Sequence, residues 1–175
     1  GKNTAPAIAI AALSLVQENL DPILLVVSAD HLIDDDDKFH ESIEISRKIA
    51  EKGKLVSFGV KSDKPEIGYG YIEFDNSSQN EYYNIISFTE KPNFEVAKNY
   101  LKSGNFYWNS GIFMFKASTF LSELKKYEPE IYNICKKSYR KEPKDIDFIR
   151  LNNNEFYKCP SISVDYAVME KTNIG

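Results

Sequence analysis

The sequence predicts an α/β protein built on a largely parallel sheet, and three observations carry that expectation. Two short, solid apolar runs, ILLVV (23–27) and LVSFGV (55–60), have the texture of strands buried on both faces. Between them, Phe39 to Lys52 sets Phe39, Ile43, Ile45 and Ile49 at helical spacing and stops at Gly53. Strand, helix, strand within about forty residues is a crossover unit, which packs helices on a sheet.

The other elements follow in order. Thr4 to Leu20 predicts a helix, with Thr4 as its cap and Pro6 in the first turn. GYGYIEF and YYNIISF predict two strands joined by the polar turn NSSQN. Phe94 to Ser103 is a short helix closed by Gly104, and GIFMFKA is another apolar strand. Ser118 caps a helix reaching about Lys126, KSYRKEPKDIDF is a charged surface loop, and Ser163 opens the last helical segment, SVDYAVMEK. No internal repeat, low-complexity tract or second domain is visible, so residues 1–175 read as one domain.

A chain of 175 residues is large enough to bury roughly two thirds of its unfolded surface. It is 42% hydrophobic and 27% charged, with net charge −4, so a nucleic-acid partner or an anionic-membrane anchor is not expected. The two cysteines, Cys135 and Cys159, form neither a metal spacing nor a disulfide framework, which favours free thiols in a reducing compartment. No apolar run reaches bilayer length and no basic, then apolar, leader opens the sequence. A cytoplasmic location is the expectation.

Several short motifs offer chemistry, each beside a plainer role. Asp30 stands just past a strand, where a carboxylate can hold Mg²⁺ or serve a turn equally well. Asp34, Asp35, Asp36 and Asp37 precede a helix and suit its dipole. His31 and His40 lack partners at ligand spacing, so zinc is not expected. GKNTAPA offers either a helix N-terminus for a phosphate or a capped helix. In GYGY, glycine either frees a backbone angle or lets a ligand approach the main chain closely, and a tight turn alone explains it equally well. In TEKP, Glu90 can accept hydroxyl hydrogen bonds and Lys91 can meet a phosphate, although surface Glu–Lys pairs are common. In WNSG, Asn109 can bind sugar hydroxyls just ahead of a strand. Asp165 reads locally as a first-turn helix aspartate.

Taken in order, GKNTAPA, SADH, FGVKSDKPEIGYGYI, FTEKP, FYWNSGIFMF and ISVDYAVMEK resemble the mannose-1-phosphate guanylyltransferase family. That resemblance implies a Rossmann-like, three-layer α/β/α nucleotidyltransferase fold with a mixed, mostly parallel sheet, truncated at both ends. It implies GTP and mannose 1-phosphate as substrates and Mg²⁺ as cofactor, with GMP passing to the sugar phosphate and pyrophosphate leaving. Asp30 and Asp165 would hold the metal, Lys91 would face the sugar phosphate, and Glu90 and Asn109 would bind mannose. Gly70 would bring its backbone against the ring, and Asn3 and Thr4 would lie on the nucleotide side. A nucleotidyltransferase for another sugar 1-phosphate and a non-catalytic sugar-phosphate binding module or inactive remnant remain open alternatives.

The family's glycine-rich loop, Gly-Gly-x-Gly-x-Arg, has no counterpart here, nor does its C-terminal β-domain. The resemblance therefore covers the middle of the family's catalytic domain. A sheet lacking a central strand is expected to pair with another copy or be marginally stable, and to bind GTP poorly.

Overall fold

The computed structural model describes residues 1–18, 20–77, 81–139 and 150–175. In chain order the elements are α1 (Thr4–Val16), β1 (Ile23–Val26), α2 (Asp36–Ala50), β2 (Val56–Lys61), β3 (Tyr71–Phe74), β4 (Ile85–Thr89), α3 (Phe94–Ser103), β5 (Phe106–Lys116), α4 (Ala117–Tyr127), α5 (Pro129–Ser138) and α6 (Asn153–Phe156). A π-helical turn, Asp165–Met169, follows. Two compact units divide the chain: residues 1–24 with 116–172, and residues 25–115 with 173–175.

The first unit is helical. α1 buries Ala5, Ile8, Ala9, Ala12 and Leu13, an i, i+3, i+4 stripe, against α4 and α5. Phe120 and Leu124 of α4 and Ile131 of α5 are fully buried, each 0% exposed. Asn3, not Thr4, caps α1: its carboxamide oxygen accepts from the Thr4 amide at 2.8 Å. Ser118 is not a cap for α4 either. The Asp21 carboxylate does that work from a distance, accepting from the Ser118 amide (2.9 Å) and hydroxyl (2.7 Å). α5 was not anticipated, although Pro129 in its first turn and buried Ile131, Cys135 and Ser138 give it a helical signature. The last predicted segment is only the π-helical turn, where the Glu170 amide donates to the Asp165 carbonyl, five residues back, at 2.9 Å. Of the predicted loop KSYRKEPKDIDF, residues 140–148 lie outside the described residues.

The second unit carries the sheet. Its order is β1-β5-β3-β4, with β2 also on β5. The expected mostly parallel sheet is corrected to a mostly antiparallel one: β2 with β5, β3 with β5, and β3 with β4 all run antiparallel. The physical reason is connectivity. β3 and β4 form a hairpin, and the long β5 returns against both β3 and β2. Solid apolar runs report burial, not direction, and even the burial was overread. β1 is half exposed and β2 ends on three exposed residues. The strand–helix–strand order β1, α2, β2 exists, yet both strands neighbour β5.

Other expectations held. Asp35 caps α2, accepting from the Lys38 amide at 3.0 Å, with Asp36 and Asp37 in the first turn. Its ion pair and hydrogen bonds with Lys38 hold the Asp35 carboxyl below its ordinary range. α3 ends at Gly104 in the left-handed region, φ 76°, as expected, and its N-terminal cap is Asn93, which the sequence reading had not named. Of the predicted polar turn, residues 78–80 lie outside the described residues. Among the described residues no helix is long and apolar enough to cross a membrane.

Candidate functional site

In the second unit, strand pairing gathers four of the motif residues. Gly70 lies buried immediately before β3, and its carbonyl accepts from the Asn109 amide of β5 at 2.8 Å. Glu90 and Lys91 follow the end of β4, the antiparallel partner of β3. The Glu90 side chain is only 11% exposed, and its Oε1 lies 3.0 Å from Lys91 Nζ, whose side chain is 60% exposed. Lys91 adopts φ 46°, an uncommon conformation for a residue with a Cβ.

The contact between Gly70 and Glu90 explains the glycine. A Cβ at Gly70 would stand 2.5 Å from Glu90 Oε2 and 3.3 Å from Asn109 Cβ. At Gly70 the group that crowds the main chain is a carboxylate of the protein itself, a reason for glycine that the GYGY motif alone does not offer. Tyr69 meets Trp108 edge-on, ring centroids 5.3 Å apart, and the Trp108 indole nitrogen is buried without a hydrogen-bond acceptor. These groups make a polar patch with one near-buried carboxylate, one exposed ammonium and an aromatic flank. Such a patch can accept from hydroxyl groups and neutralise a phosphate.

WNSG does not precede its strand; it lies inside β5. Between the pairs Ser57↔Phe113 and Gly59↔Asn109 the register shifts, so Ser110, Gly111 and Ile112 face the single residue Phe58. This is a β-bulge, and it breaks the alternation that sequence reading relies on.

The first unit gathers the other motif residues. The Thr4 hydroxyl accepts from the Val164 amide at 2.8 Å, and the Ala5 amide donates to the Ile162 carbonyl at 3.2 Å. Asn3 and Thr4 are thereby tied to the strand of chain that delivers Asp165, half-buried at the start of the π-helical turn. Nearby, Lys2 Nζ sits 5.0 Å above the Tyr157 ring. Asp30 belongs to the second unit, exposed in the turn beyond β1.

Among the described residues no group of three or more histidine, cysteine, aspartate or glutamate side chains forms a metal cage. The donors on offer for Mg²⁺ are single carboxylates. That chemistry fits an ion that takes one or two protein carboxylates and completes its shell with water and substrate phosphate.

Comparison with known proteins fixes the family. Residues 1–154 match the nucleotidyl transferase family. The chain belongs to that family. A Vibrio cholerae protein named putative mannose-1-phosphate guanylyltransferase is 49% identical over 175 residues, covering 100% of this chain and 38% of its own length. The Escherichia coli K12 mannose-1-phosphate guanylyltransferase is 47% identical over 178 residues, covering 98% of this chain and 37% of its own. This nucleotidyl transferase chain thus spans less than two fifths of the curated relatives it matches. Among solved structures, a Helicobacter pylori protein titled mannose-6-phosphate isomerase superposes with TM-score 0.86 at 36% identity, over 99% of this chain and 66% of that one. A Thermus thermophilus protein titled mannose-1-phosphate geranyltransferase gives 0.83 at 29% identity, over 98% and 48%.

Proposed function

We propose that this chain is the sugar-binding and metal-binding middle of a mannose-1-phosphate guanylyltransferase. Near-half identity along its whole length to proteins bearing that name carries the reading. In the reaction, a phosphate oxygen of mannose 1-phosphate attacks the α-phosphorus of GTP. The bond from that phosphorus to the β-phosphate oxygen breaks, so GDP-mannose forms and pyrophosphate leaves. Several negative charges converge, and positioning with charge neutralisation supplies most of the rate.

Each residue has a part. The Lys91 ammonium, exposed beside Glu90, meets the sugar phosphate. The Glu90 carboxylate and the Asn109 carboxamide take the mannose hydroxyls, and Gly70 keeps the backbone low enough for the ring to lie close. Asn3 and Thr4 serve the nucleotide. Asp30 and Asp165 are the carboxylates assigned to Mg²⁺, which when bound neutralises phosphate oxygens and polarises the reacting phosphorus.

A segment exchange tests this. The chain replaces the matching segment of the Escherichia coli relative, and pyrophosphate release is followed with GTP and a panel of sugar 1-phosphates. Preference for mannose 1-phosphate is expected, with turnover abolished by Asp30→Asn. A folded chimaera that prefers another sugar phosphate overturns the sugar assignment. Near-normal turnover in Asp30→Asn removes Asp30 from the site.

A further inference from the structure

The loop that leads from β2 into Gly70 is tied down by side chains. At its start the Ser62 hydroxyl donates to the Phe106 carbonyl of β5 at 3.3 Å. Further on, residue 66 is gripped twice. The Tyr71 phenol donates to the Glu66 carbonyl at 2.9 Å, and the Glu66 carboxylate accepts from the Gly68 amide at 3.1 Å. Lys64 Nζ lies 3.6 Å from the other oxygen of that carboxylate. Tyr71 is a firm anchor: it is 0% exposed, and its ring centroid lies 5.4 Å from that of Tyr100 on α3, which itself stacks on Phe106 at 3.9 Å. Neighbouring strand residues point to opposite faces of a sheet. The Cβ direction of Gly70 meets Glu90 and Asn109, so the Tyr71 ring packs on the other face and reaches the sugar patch only through the main chain.

We propose that Tyr71 and Glu66 are positioning residues that order the 66–70 main chain in advance, so that Gly70 stands at the height the sugar phosphate requires before it arrives. A loose loop has to be ordered by its ligand, and the lost freedom is subtracted from affinity. A loop already latched from the far face of the sheet carries no such cost. This inference rests on the reading that the face bearing Gly70 and Glu90 receives the sugar phosphate.

The test uses mannose 1-phosphate as probe, with affinity read by calorimetry and amide hydrogen exchange read by NMR. Tyr71→Phe removes only the hydroxyl that holds the Glu66 carbonyl. Glu66→Ala removes the acceptor of the Gly68 amide, and Glu66→Gln keeps an oxygen there. Tyr71→Phe and Glu66→Ala are each expected to weaken mannose 1-phosphate binding by about tenfold, with the loss in the binding entropy. The Gly68 amide should exchange faster in both before ligand is added, and added ligand should slow it again. Glu66→Gln should bind about as the parent does. A merely structural loss would lower Tm and leave the affinity of the folded protein and the ligand response of Gly68 unmoved. If Glu90→Ala weakens binding while Tyr71→Phe and Glu66→Ala both bind as the parent does, the positioning role is overturned. If Glu90→Ala binds unaltered, the underlying site reading fails instead. Should Tyr71→Phe not fold, the Glu66 variants decide alone.

Discussion

Gly70→Ala puts the tightest contact of the candidate site under load. The added methyl would lie 2.5 Å from Glu90 Oε2, about 0.9 Å inside an ordinary contact of 3.4 Å. Sideways escape is narrow, with Asn109 Cβ at 3.3 Å and Phe88 Cε1 at 3.5 Å from the same point. Glu90 is the mobile partner, the end of a flexible side chain, but it is 11% exposed and held 3.0 Å from Lys91. Relief therefore comes from swinging that carboxylate outward. Overpacking costs about 1–3 kcal/mol, and a movable carboxylate puts this site in the lower half, about 1–2 kcal/mol. For a chain of this size that is a fall in Tm of roughly 2–8 °C. The assay is a double-mutant cycle by chemical denaturation: Gly70→Ala alone, Glu90→Ala alone, and both. Without the carboxylate the methyl has room, so the cost of Gly70→Ala should shrink by about 1 kcal/mol in the Glu90→Ala background. Equal cost in both backgrounds refutes the contact as the reason for glycine.

Three further outcomes are expected. Thr4→Val keeps the shape but strips the Val164 amide of its hydroxyl acceptor; about 1–3 kcal/mol of stability should go, with faster hydrogen exchange at Val164. Asn93→Ala removes the side chain that accepts from the Val96 amide at 3.0 Å, and denaturation should show a loss of about 1 kcal/mol. Burial, with the neighbouring Cys159 adding to it, pushes the Cys135 thiol up to about 12, and burial also raises Cys159. The fold therefore favours neutral thiols: their stabilisation is intact below the free-thiol range and is lost as pH rises toward 12. Native protein should react slowly with a thiol reagent at neutral pH, both thiols should appear on unfolding, and Cys135→Ala should flatten the alkaline loss of stability.

What could be read in the sequence was local chemistry. The Gly104 end of α3 and the aspartates opening α2 are set by a few adjacent residues, and the structure keeps both. Glu90, Lys91, Gly70 and Asn109 were legible as motif residues, and the strands bring them together. Strand direction was not legible, because an apolar run such as ILLVV says only that it avoids water. The bulge hid itself for a related reason. Asn109, Ser110 and Gly111 interrupt the apolar pattern, so the strand seemed to start at Gly111 when it starts at Phe106. Thr4 looked like a cap because threonine suits that place; its real partner, Val164, lies far beyond any local window.

The bond from Thr4 to Val164 also has a consequence for how the protein is made. α1 is made before its packing partners, α4 and α5, which come only after the whole sheet unit, and before Val164, later still. The helical unit joins pieces far apart in sequence, residues 1–24 with 116–172, so its contacts raise the contact order, a feature that goes with slower folding. Until then the apolar stripe of α1 waits uncovered, the interval in which a nascent chain depends most on chaperones.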